Sequence, residues 1–115
     1  MTEKATDADF QRIENLARQR GLAEVERSTS YRTPALKVGG KSFVRLKDKD
    51  VLVLLCPMEQ KTLLMEISPD IYFETDHYIG YSAVLVRLDK IDDEELSLRL
   101  EDAWTFKAPK RLQPK

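Results

Sequence analysis

The sequence predicts an α/β domain, more narrowly α+β, in which an antiparallel sheet has helices packed on it. Three observations predict it: apolar residues recur at helical spacing near both ends, short alternating or wholly apolar segments lie between them, and Gly and Pro occur only as isolated punctuation. A chain of 115 residues, 42% hydrophobic and 34% charged, suits one domain, read here as 1–115.

From Thr6 onward Phe10, Ile13, Leu16 and Ala17 keep helical spacing, Thr6 with Asp9 gives a cap-like start, and Gly21 supplies the stop. Val25 to Arg32 then mixes β-branched, Ser and Tyr residues up to Thr33-Pro34, where proline removes a backbone donor; this reads as an edge strand. Ala35 to Leu46 holds two alternating segments around Gly39-Gly40, a pair suited to the positive φ angles of a type I′ hairpin turn. With the glycines as the loop, Leu36 faces Phe43, Val38 faces Lys41, and Lys37 and Ser42 point the other way. Val51 to Cys56 is a buried central strand ended by Pro57, and a short helix runs from about Met58 to Ile67 with Leu63, Leu64 and Ile67 inward. Ile71 to Phe73 is a short strand, Asp76 to Ser82 a loop and Ala83 to Leu88 a strand. The last helix is capped by Asp92, with Glu95 three residues on and Leu96, Leu100, Ala103 and Trp104 on one face. The expected order is α-β-β-β-α-β-β-α, with Leu16, Val53, Leu55, Leu64, Val86, Leu100 and Trp104 in one core.

Nineteen basic against twenty acidic residues leave a net charge of −1, which argues against wholesale coating of a polyanion. The longest apolar run, Val51 to Cys56, is far short of the roughly 20 residues that span a bilayer, so no membrane association is expected. The first seven residues lack the basic and apolar regions of a secretory signal, and a lone cysteine excludes an intrachain disulfide; cytoplasm is the simplest localisation.

No nucleophile elbow, phosphate-binding glycine loop, zinc-protease helix or paired-cysteine motif occurs, so no enzymatic activity, metal or cofactor is expected. Cys56 ends an apolar strand and reads as a buried small hydrophobe, with a nucleophilic or redox thiol as the alternative. His77 lies between Asp76 and Tyr78, where a carboxylate and an aromatic ring can orient it, for loop structure or for contact with a ligand.

Charge is segregated. Between Arg27 and Asp50 seven basic residues meet two acids, a net +5, and from Ala103 to Lys115 four basic residues meet none, leaving −10 elsewhere. The acids that open the last helix and the bases beyond its end suit the helix dipole. The hairpin has no such helix. Its Lys37, Lys41 and Arg45 fit a ribbon that touches phosphates, or protection of a sheet edge. Tyr31, Tyr78, Tyr81 and Trp104 offer stacking surfaces or core packing.

Ser30 to Lys41, His77 to Tyr81, Val84 to Leu88, Ala103-Trp104 and Ala108 to Leu112, in this order, resemble the MmcQ/YjbR family over nearly the whole chain. Arg32 stands where the family pattern usually has Gly, and Ser82 where it often has Pro. The resemblance implies an α/β double-wing fold and a DNA-binding label that came from structural likeness; it implies no established enzyme activity and no cofactor.

Two readings follow. The first is a small non-enzymatic module, expected to be monomeric, that contacts DNA phosphates weakly and with little specificity through Arg32, Lys37, Lys41, Arg45, Lys110 and Arg111. The alternative is a binder of a small molecule or a protein partner through His77, Tyr78 and Tyr81, with Trp104 nearby.

Overall fold

Phe10, Ile13, Leu16 and Ala17 share one stripe of the first helix, and all four are buried. That helix, α1 (Asp7–Gln19), stops at Gly21, whose φ of 73° suits a residue without Cβ. The structure is a computed structural model that describes residues 7–30 and 32–113; the cap expected at Thr6, the aromatic Tyr31 and the side chains of Asp7, Ala8, Asp9 and Ser30 lie outside that description.

Four strands follow: β1 (Val25–Ser30), β2 (Thr33–Val38), β3 (Lys41–Asp48) and β4 (Val51–Leu55). After α2 (Met58–Ile67) come β5 (Tyr72–Phe73), a 3₁₀ turn at Asp76–Tyr78, β6 (Ala83–Arg87), α3 (Asp93–Lys107) and a second 3₁₀ turn at Lys110–Leu112. The sheet is antiparallel throughout, in the order β1-β2-β3-β4-β6-β5, so the fold is α+β as expected. Four strands precede the second helix, as the segments read one by one have them and one more than the order α-β-β-β-α-β-β-α holds; the chain reverses between β1 and β2, with Arg32 at a φ of 67°. Val25–Ser30 is an edge strand, as its composition suggests, and β4 lies inside the sheet.

The Gly39-Gly40 turn forms with φ angles of 58° and 80°, and Val38 faces Lys41. Beyond that pair the register departs from expectation: Leu36 faces Val44, because a bulge inserts Phe43 as an extra residue in β3. The bulge lets both Phe43 and Val44 join the core of the packed face, which strict alternation would forbid. A second bulge gives Lys47 no partner on β4, since Leu46 faces Leu52 and Asp48 faces Val51.

All three helices lie on one face. Leu36, Val44, Leu52, Leu54, Val84 and Val86 point into it and meet Leu16, Leu96, Leu100 and Trp104. Asp92 caps α3 by accepting from the Glu95 amide at 2.8 Å, and Arg12 clips α1 to the loop before α3 by donating to Leu88 O at 2.8 Å and Ile91 O at 2.7 Å.

The expected core needs two corrections. Val53 and Leu55 are not in it: strand alternation turns them to the opposite face, where Val53, Tyr78, Ala83 and Leu85 form a separate small cluster. Of the three residues expected on the inner stripe of α2, only Leu64 is buried; Leu63 is 52% and Ile67 68% exposed. The inner stripe is instead Lys61, Leu64 and Met65, spaced i, i+3, i+4.

Candidate functional site

The open face of the sheet becomes concave where β3, β4 and β6 pass beneath the 75–82 segment. Because alternate residues share a face, Arg45 of β3 faces Val53 of β4, and Leu55 of β4 faces Ala83 of β6. These residues form a floor that no helix covers. Lys47, freed from pairing by its bulge, stands at the rim. The hollow encloses about 820 Å³ and is lined also by Thr75, His77, Tyr78, Tyr81 and Ser82. That volume is within the ordinary range for small-molecule sites.

The wall is aromatic. Tyr78 is buried against the floor, and the Arg45 guanidinium donates through Nη2 to its hydroxyl. His77 meets Tyr78 edge-on at 5.1 Å between ring centroids, and lies nearly parallel to Tyr81 at 6.2 Å with 21° between planes. Gly80, at a φ of 82°, provides the turn that brings Tyr81 back towards β6.

What holds this wall comes from the other side of the molecule. Lys61 of α2 is 1% exposed, and its ammonium has three donors. Nζ donates to Tyr78 O at 2.7 Å and Tyr81 O at 2.8 Å, and pairs with Glu74 Oε2 at 2.8 Å. The charge is thus both neutralised and hydrogen-bonded, the condition under which a lysine is tolerated inside a fold.

Cys56, just beyond β4, is fully buried as expected, and burial pushes its thiol up to about 11. A thiol so held is a poor nucleophile at neutral pH. Tyr72, on the packed face, is also raised above its ordinary value, first by burial and then by the hydrogen bond to Glu95.

The remaining residues singled out in the sequence are dispersed. Arg32 is exposed at the β1–β2 reversal, whereas Lys41 is exposed at the opposite end of β2. Lys37 faces Glu26 across the ladder to β1. Neither hairpin strand is at the sheet edge, so edge protection does not account for Lys37, Lys41 or Arg45. The hairpin tip does not stand free: a Cβ on Gly39 would meet Pro109 Cδ at 2.8 Å, which brings the tip against the segment after α3 and towards Lys110. Arg111 donates to both carboxylate oxygens of Glu24, at 2.7 and 3.0 Å, and these bonds hold Glu24 below the usual carboxylate range. Trp104 is buried on the packed face, its Nε1 donating to Ala23 O at 2.9 Å. It is therefore not beside His77, because its helix lies on the other side of the sheet. Lys47 and Lys61 were missed, although Lys47 falls in the basic stretch; its bulge depends on strand pairing, and Lys61 has its partners 13 to 20 residues away.

Among the described residues no helix is long and apolar enough to cross a membrane. No solved structure matches the chain. It is 35% identical over 98 residues to the uncharacterized protein Mb2600 of Mycobacterium bovis, which covers 84% of this chain and 69% of that protein. Identity and coverage are the same for the uncharacterized proteins MT2646 and Rv2570 from two strains of Mycobacterium tuberculosis. None of these names indicates an enzymatic activity. Residues 20–106, which include every strand, α2 and nearly all of α3, match the YjbR family, and with that match over most of its length the chain belongs to the YjbR family.

Proposed function

We propose that this chain is a small non-enzymatic binding protein whose site is the hollow on the open face of the sheet, occupied by a small molecule. One observation carries the reading: a hollow of small-molecule size, with Leu55 partly exposed on its floor, lies beside an aromatic wall that a buried lysine holds in place. Two naphthalene fluorophores of similar shape test it, neutral N-phenyl-1-naphthylamine and anionic 1-anilinonaphthalene-8-sulfonate. Saturable binding of at least one, at one site per chain and weakened by Tyr81→Ala, is expected. No binding of either, or binding indifferent to that substitution, overturns the reading.

A second reading, weak contact with DNA phosphates, draws on one observation. The docked hairpin tip puts exposed Lys41 and Lys110 in the same region of the surface, and neither has an ion-pair partner among the described residues. Two phosphate contacts imply a slope of log affinity against log salt of about −1.8 on duplex DNA. Titration of a short labelled duplex at low salt checks this. Absence of binding, or binding unchanged in Lys41→Ala/Lys110→Ala, ends that reading.

A further inference from the structure

The lining of the hollow is asymmetric in charge. Its described residues include Arg45 and Lys47 and no carboxylate, although the chain as a whole carries −1. Of the acids closest in sequence, Asp76 is exposed and not among the lining residues, and two others have partners. Glu74 is paired with Lys61, and Asp48 accepts from the Asp50 amide at 2.9 Å. Arg45 is anchored by the Tyr78 hydroxyl, which fixes its charge at the junction of floor and wall. Lys47 is exposed at the rim and has no ion-pair partner among the described residues. Val53, Leu55 and Ala83 offer the floor an apolar contact, and the nearly parallel His77 and Tyr81 rings extend the wall outward.

We propose that the ligand is a small aromatic anion, its ring system lying on Val53, Leu55 and Ala83 against Tyr78 and Tyr81, and its anionic head group taken by Lys47 beside the fixed charge of Arg45. The aromatic wall and the Lys47 ammonium then each have a complement on one molecule. A neutral aromatic ligand would leave the Lys47 ammonium without a complement. An aliphatic anion would leave the stacking wall without use. The assignment rests on the hollow being the binding site, and the test separates failure of one from failure of the other.

The same two fluorophores differ chiefly in a sulfonate. The anionic one is expected to bind about tenfold more tightly to the native chain, one charge-assisted contact being of that order. In Lys47→Gln that preference falls to within about twofold while the neutral fluorophore is unaffected, and added salt erodes the preference in the native chain alone. Lys90→Gln, which removes an exposed charge between β6 and α3, leaves the preference intact and so separates a local effect from net charge. Lys47 is on the surface, so its replacement does not threaten the fold. If both fluorophores bind equally and Lys47→Gln changes neither, the site stands and its anionic ligand is overturned. If the preference survives Lys47→Gln, or falls equally in Lys90→Gln, the placement of the head group is overturned. If neither fluorophore binds, the site itself is lost.

Discussion

Leu54 and Leu55 are neighbours on β4, yet Leu54 is fully enclosed between sheet and helices while Leu55 is partly exposed on the floor of the hollow. Their difference is that of the two faces. On one, the three helices close a large apolar core; on the other, the 75–82 segment brings Tyr78 against Val53, Ala83 and Leu85 in a small cluster. The first face has the means to hold the fold together. The second encloses a smaller cluster and leaves Leu55 partly exposed beside an open hollow, which makes sense for a face that another molecule completes.

The most severe way to break this contrast is to cut the link between the faces. Lys61→Met retains much of the side chain's length but leaves the Glu74 carboxylate and two carbonyls without their partner. A loss of about 3–5 kcal/mol is expected in urea unfolding, the cost of removing one member of a buried pair. A loss below about 1 kcal/mol would mean that the ammonium holds nothing.

The contrast itself is measured on adjacent residues. Leu54→Ala is expected to cost about 2–5 kcal/mol by leaving a cavity under the helices, and Leu55→Ala about 1 kcal/mol because solvent already reaches it. Equal losses in denaturant titrations would remove the distinction between the faces.

The hairpin tip sharpens the picture at the boundary of the packed face. Gly39→Ala forces a Cβ onto Pro109 as well as a strained positive φ, and should cost about 1–3 kcal/mol in thermal or urea unfolding. Gly40→Ala meets open space and carries only the φ penalty, so it should be the milder of the two. The reverse ranking would show that the tip is not docked.

A smaller effect concerns alkaline pH. Cys56 keeps its proton in the fold up to about 11, against an ordinary value of 9.0, so between those values the unfolded chain releases a proton that the folded chain retains. Stability from this group is complete below about pH 9 and falls as pH rises to about 11. Tyr72 is shifted in the same direction, so Cys56→Ala should reduce the slope of stability against pH in that window without abolishing it. An unchanged slope would mean that the thiol is not shielded.

Much of the packed face was legible in the sequence because its signals are local. The spacing of Phe10, Ile13, Leu16 and Ala17, the Asp92 cap and the Gly39-Gly40 turn each lie within one element, and each occurs as read. The hollow was legible only in part. His77, Tyr78 and Tyr81 stood out by type, but their wall depends on Lys61, and a lysine on a short helix reads as solvent-facing unless its distant partners are known. Leu63 and Ile67 were expected inward for the corresponding reason: on hydropathy alone they outrank the lysine that is buried. Val53 and Leu55 were assigned to the core because a wholly apolar strand does not reveal which of its faces is covered. The bulges at Phe43 and Lys47 follow from pairing with neighbouring strands, which no local pattern encodes.

The reach of Lys61 through to the far side has a consequence for motion. Surface loops generally open on their own, at little free-energy cost and without disturbing the elements they connect. Here the Tyr78 amide donates to Thr75 O at 2.8 Å and the Tyr81 amide to Tyr78 O at 3.1 Å, within a segment whose carbonyls are gripped by a side chain rooted in α2. Releasing that segment requires extracting a buried ammonium, so hydrogen exchange at these two amides should keep pace with the slowest amides of β4 and not with the exposed turns. A guest arriving at the hollow then meets a preorganised wall and pays little entropy to order it.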